Sequence, residues 1–189
     1  HGAFTWGVLD RLLEDERLEI AAVSGTSAGA MNAVVLADGL MAGGRAAARE
    51  RLRRFWTRVS RAASAGTALA ALFGDWSFRG SPLAWYTDWV LRTFAPHECN
   101  PLDINPLRDI LAEEVDFERV RGCDRMQLFV SATSVRTGRL REFRGPELTV
   151  EAVMASACLP TLFRSVEIEG EAYWDGGYVG NPSLLSLVA

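Results

Sequence analysis

The N-terminal stretch of the chain spells helix, strand, tight turn, helix, and that order predicts an α/β domain. Three observations carry the prediction. Phe4, Val8, Leu9, Leu12 and Leu13 recur at helical spacing, ending in the acidic Glu14-Asp15-Glu16. The apolar run Leu18-Glu19-Ile20-Ala21-Ala22-Val23 suits a short buried strand. Ser24-Gly25-Thr26-Ser27-Ala28-Gly29 follows it directly, and residues 30–36 then read as a helix with no proline to stop it. At 189 residues the chain is one domain in length, long enough to bury a sizeable core without staples.

Residues 45–61 carry seven arginines (Arg45, Arg49, Arg51, Arg53, Arg54, Arg58 and Arg61) against one acid, Glu50. Leu52, Phe55, Trp56 and Val59 share one face of that helix. A basic amphipathic helix either lies on an anionic membrane surface or packs its apolar stripe on its own domain, the second being the commoner outcome. Residues 62–94 turn alanine-rich, then aromatic, with Trp76, Phe78, Trp85, Tyr86, Trp89 and Phe94. A cap over an apolar pocket and an ordinary hydrophobic subcore both fit that composition.

Asn105-Pro106 opens a helix with a cap followed by proline at its first position, turning Leu107, Ile110 and Leu111 inward. The second half is strand-rich. A β-prone run at 128–135 turns at Arg136-Thr137-Gly138-Arg139 into 140–143. Residues 149–157 form a short helix ended by Leu159-Pro160. A second hairpin joins 166–168 to 171–174 about Glu169-Gly170, and Asp175-Gly176-Gly177 follows its last strand.

Composition removes several chemistries. A net charge of −4 argues against a general nucleic-acid binder. All 20 basic residues are arginine, which excludes a lysine phosphate loop, Schiff-base chemistry and Ser-Lys acylating enzymes. Two histidines, His1 and His97, are too few for a His-rich zinc site, and no metal is expected. Cys99, Cys123 and Cys158 are odd in number and widely spaced, as free thiols in a reducing compartment would be. No apolar run reaches transmembrane length, so the expected location is the cytoplasm or the membrane periphery. Starting at His1 and stopping in the apolar run Ser186-Leu187-Val188-Ala189, the sequence reads as a piece of a longer chain.

Two motifs can carry chemistry. Gly25-Thr26-Ser27-Ala28-Gly29 is a G-x-S-x-G pentapeptide between a predicted strand and a predicted helix. A serine on such a turn has its hydroxyl pushed into the open, with the next helix aiming N–H groups at it. The flanking glycines are expected where strand and helix pass too close for side chains. A serine hydroxyl also needs a proton acceptor, and the histidines here are poorly placed. Asp175 fits that role: it stands at a strand exit with Gly176 and Gly177 behind it. Taken alone, Asp-Gly-Gly also reads as a plain turn.

The Gly-Thr-Ser-Ala-Gly elbow and the late Asp-Gly-Gly, in that order, resemble the patatin-like phospholipases, lipid acyl hydrolases with a Ser-Asp dyad and no catalytic histidine. Ala155-Ser156-Ala157-Cys158-Leu159-Pro160 and Asn181-Pro182 share the likeness, which spans nearly the whole chain and is loosest in the arginine- and tryptophan-rich middle. The resemblance implies a single domain over 1–189: a three-layer α/β/α sandwich with a largely parallel central sheet. It implies Ser27 as nucleophile, Asp175 as general base, an acyl-enzyme, a lipid or acyl-ester substrate, and no cofactor. Acyl transfer on the same dyad, or a non-catalytic lipid-binding module, are the alternatives it leaves. Of the family's glycine-rich oxyanion loop only the tail is in the sequence, with His1 in the basic slot and Gly2 as the final glycine; the first strand is missing. The Ala28 N–H is the remaining expected oxyanion donor.

Overall fold

The structure is a computed structural model that describes residues 2–64, 105–160, 163–180 and 183–188. The aromatic stretch, His1, His97, Cys99 and Asn181-Pro182 lie outside the described residues. Helix α1 (Gly2–Glu14) leads to strand β1 (Ala22–Gly25). The strand is shorter than its apolar run because its partner begins only at Gln127, whose N–H bonds the Ala21 carbonyl. Farther back, the Asp15 and Leu18 carbonyls accept from the Arg45 guanidinium instead.

Helix α2 (Ala28–Ser64) breaks at Gly43 and at Gly44, whose φ of 71° and ψ of −155° lie where only glycine goes without strain. Beyond the break the chain doubles back. A Cβ on Gly39 would stand 2.3 Å from the Ala48 Cα, whereas nine residues of straight helix span about 13 Å. The predicted arginine helix is therefore the returning arm of an αα-hairpin.

Asn105 caps α3 (Pro106–Glu114), and Asp116 caps α4 (Phe117–Arg121). Strands β2 (Gln127–Ser134) and β3 (Leu140–Arg144) form the first hairpin. Helix α5 (Val150–Ser156) is capped by the Thr149 hydroxyl, which accepts the Ala152 N–H. Strands β4 (Val166–Ile168) and β5 (Glu171–Asp175) form the second hairpin, and α6 (Leu185–Val188) follows.

The sheet is mixed. β1 runs parallel to β2, from Ala22 opposite Gln127 to Gly25 opposite Val130, while β3 and β5 pair antiparallel to β2 and β4 antiparallel to β5. Parallel pairing is thus confined to one pair among the described strands, because two short hairpin turns cannot make the long crossover a parallel neighbour needs. On one face Leu128, Val130, Ala132, Phe143 and Tyr173 share a core with residues of α2 and α5, among them Val34, Leu52, Phe55 and Val153. Each fully buried aliphatic or aromatic side chain there contributes about 1.5–3 kcal/mol. On the opposite face Ser186 of α6 donates to Glu142, the neighbour of Phe143. Helices on both faces of a sheet make the α/β/α sandwich.

Six of the seven arginines in the returning arm are engaged within the domain. Arg49 bonds Asp10 at 2.8 Å and Glu14 at 2.8 Å; Arg53 bonds Glu50; Arg54 and Arg58 both reach Glu114. Arg51, with Arg119 of α4, holds the fully buried Asp38, each at 2.5 Å. Arg45 completes the set on backbone carbonyls. The buried stripe of Leu52, Phe55, Trp56 and Val59 packs inward. The helix is a docked element of its own domain.

The Arg49–Asp10 bond ties α1 to α2, and it carries a pH signature. Hydrogen bonds from Arg49 hold the Asp10 carboxyl below its ordinary value of 3.8, against a smaller upward push from burial. A depressed folded-state pKa gives stability that is present above the ordinary value and lost as pH falls through the folded one. Asp10→Asn is expected to melt at lower temperature than wild type at pH 7. In thermal melts taken at decreasing pH, that gap should close below about pH 3.8.

Candidate active site

The register of β2 brings the two motifs together. Phe129 and Val130 pair with β1 on one side and β3 on the other, whereas Ala132 and Thr133 pair with β5 and β3. Since β3 occupies one edge, β1 and β5 share the other, and their C-terminal ends face each other across Ser131. Gly25 leads out of one end into Ser27; Asp175 stands at the other. The junction is tight: a Cβ on Gly176 would lie 2.3 Å from the Ser131 carbonyl oxygen and 2.9 Å from Cγ2 of Thr26, the neighbour of Ser27.

Ser27 is half-buried and has φ of 57°, in the left-handed region that side chains avoid. Such a residue costs about 1–3 kcal/mol and persists only where its surroundings hold it. Here the Thr26 carbonyl accepts the Gly29 N–H at 2.8 Å, the Ser27 carbonyl accepts the Ala30 N–H at 2.9 Å, and the Ser27 N–H donates to Ser156 Oγ at 2.9 Å. The two flanking glycines differ. A Cβ on Gly25 would lie 2.7 Å from both the Gly29 oxygen and the Ala30 nitrogen, so the strand side requires glycine. A Cβ on Gly29 would meet no described atom within 4 Å. The crowding expected on both flanks exists on one, because Gly29 in the first turn of α2 faces away from β1.

Asp175 is 5% exposed. Its N–H donates to the Cys158 carbonyl at 2.8 Å, its carbonyl accepts from Thr133 Oγ1 at 2.9 Å, and its Oδ1 accepts the Gly177 N–H at 2.7 Å. Among the described residues no hydrogen bond joins the Ser27 hydroxyl to the Asp175 carboxylate.

Gly2 lies beside the residue that follows Ser27. A Cβ on Gly2 would stand 3.0 Å from the Ala28 Cβ and 2.1 Å from Cη2 of Trp56. Asn32 locks this contact: its Nδ2 donates to the Gly2 carbonyl at 3.1 Å and the Ala28 carbonyl at 2.9 Å, while its Oδ1 accepts the Trp56 Nε1–H at 2.8 Å. The N-termini of α1 and α2 therefore sit side by side at the elbow. The positive end of the α2 dipole favours a negative charge there.

The pattern of the sequence misses Asn32, Ser156 and Thr133. An asparagine or serine inside a helix carries no ligand spacing, and Trp56 reads only as part of an apolar stripe. The one available signal is the Ala155–Pro160 stretch, whose likeness to a family carries no role for its serine. Among the described residues no three His, Cys, Asp or Glu side chains cluster as a metal site, and no helix is long and apolar enough to cross a membrane. Cys123 is a free thiol, and the Cys158 Sγ donates to the Arg164 carbonyl at 2.9 Å.

Compared with known families, residues 1–188 match a model described as Patatin-like phospholipase. A search of curated proteins returns no match.

Proposed function

The chain belongs to the patatin-like phospholipase family, whose chemistry is the hydrolysis of lipid acyl esters, and from that premise we propose that Ser27 and Asp175 form its catalytic dyad. One observation carries the reading: β1 and β5 end head to head on one edge of β2, with Gly176 packed on the elbow. Residues 148 positions apart (175 − 27) thereby leave neighbouring strand ends.

Asp175 takes the Ser27 hydroxyl proton as the oxygen attacks the ester carbonyl carbon. The oxyanion that forms is stabilised by the Ala28 N–H and the positive end of the α2 dipole. A preorganised donor of this kind contributes about 2.7–4 kcal/mol. Collapse breaks the C–O bond to the leaving alcohol, which receives the proton from Asp175. Water then gives a proton to Asp175 and attacks the acyl-Ser27 carbon. A carboxylic acid leaves, and the proton returns to Ser27. The cycle needs no standing Ser27–Asp175 hydrogen bond, since catalytic hydrogen bonds commonly tighten only once substrate binds.

The test is covalent. A fluorophosphonate probe is expected to add one phosphonyl group at Ser27, read by peptide mass spectrometry, with Ser27→Ala losing both label and phospholipid hydrolysis. Label on another residue, or hydrolysis that survives Ser27→Ala, contradicts the assignment.

A further inference from the structure

We propose that Ser156 is a positioning residue for this site: the last turn of α5 fixes the elbow and the acidic strand end relative to each other. The inference rests on the dyad reading and deepens it. Ser156 is fully buried, and its Oγ accepts the Ser27 N–H at 2.9 Å. Two residues on, the Cys158 carbonyl accepts the Asp175 N–H at 2.8 Å. One short segment thus bonds the backbone of both members of the dyad.

The segment is stiff enough for the task. Thr149 caps α5 at its start, and Ala152, Val153 and Ala155 are fully buried along it. A serine inside a helix commonly turns its hydroxyl back on the carbonyl one turn earlier. This one reaches across to another element. By binding the Ser27 N–H it supports the left-handed φ that exposes the Ser27 hydroxyl, and it leaves the oxyanion to the Ala28 N–H. Without that acceptor the Ser27 N–H is left unpaired and the elbow is free to relax toward ordinary φ values, carrying Oγ away from Asp175.

The experiment is a double-mutant cycle on ester hydrolysis using wild type, Ser156→Ala, Asp175→Asn and the double variant. Ser156→Ala is expected to lower kcat on the order of 10²-fold, the effect of roughly 1 Å of misplacement, with KM unchanged. Ser156→Thr, which keeps the hydroxyl, recovers part of the loss. The double variant loses less than the product of the two single losses, because a misplaced base has less left to lose. A wild-type kcat in Ser156→Ala, or single losses that multiply, overturns the positioning role. If the alanine variant does not fold, Ser156→Cys replaces it with the same expected outcomes, its sulfur being a weak acceptor. An Asp175→Asn enzyme as active as wild type overturns the dyad and this role with it. A full Asp175 effect with multiplying losses overturns the positioning role alone.

Discussion

Asp175→Asn is expected to lower kcat by about 10²–10⁴-fold, the usual contribution of a positioned general base, with KM and folding little changed. The asparagine amide has nearly the shape of the carboxylate. Its oxygen still accepts the Gly177 N–H that Oδ1 accepts now, and the backbone bonds to Cys158 and Thr133 do not involve the side chain. What disappears is the capacity to take a proton. A loss in kcat at constant KM therefore reports chemistry rather than architecture. Steady-state kinetics on a soluble ester, together with a thermal melt, separate the two.

Gly176→Ala is expected to damage stability and activity together. The added methyl would lie 2.3 Å from the Ser131 carbonyl oxygen, a backbone atom of the central strand, and 2.9 Å from Thr26 Cγ2. Neither neighbour is the tip of a flexible side chain, so the end of β5 must move. Overpacking of this kind costs typically about 1–3 kcal/mol. The same movement displaces Asp175 from the elbow, and a displacement of roughly 1 Å can cost 10²-fold in rate. Denaturant unfolding and kcat/KM should fall in the same variant, unlike in Asp175→Asn.

Much of this arrangement is legible before folding. Helical spacing marks α1, and the apolar run before Gly25 marks β1, because local periodicity reports which face is buried. Asn105-Pro106 and Thr149 mark helix starts because capping is a local hydrogen bond. The Ser27 elbow and Asp175 are legible because each sits at a strand exit beside glycine. Other features are set by the tertiary structure. The reversal at Gly43-Gly44 is written as two glycines within an otherwise unbroken helical pattern, and only the Gly39–Ala48 contact makes it a hairpin. The arginines of the returning arm find Asp10, Asp38 and Glu114 on other segments, which charge counting along a helix cannot anticipate. Ser156 and Asn32 act through bonds to backbone atoms 129 and 30 positions away, a relation with no sequence period.

The most direct measurement is the rate constant for Ser27 phosphonylation at saturating fluorophosphonate, compared between wild type and Asp175→Asn. It isolates attack by one hydroxyl on phosphorus, with expulsion of fluoride, from probe binding and from the deacylation and product release of the ester reaction. A proton acceptor held at the neighbouring strand end predicts a drop of about 10²-fold or more in the variant, with probe affinity unchanged. Equal rates in the two proteins would mean that Ser27 takes its reactivity from elsewhere, and the dyad account would be wrong.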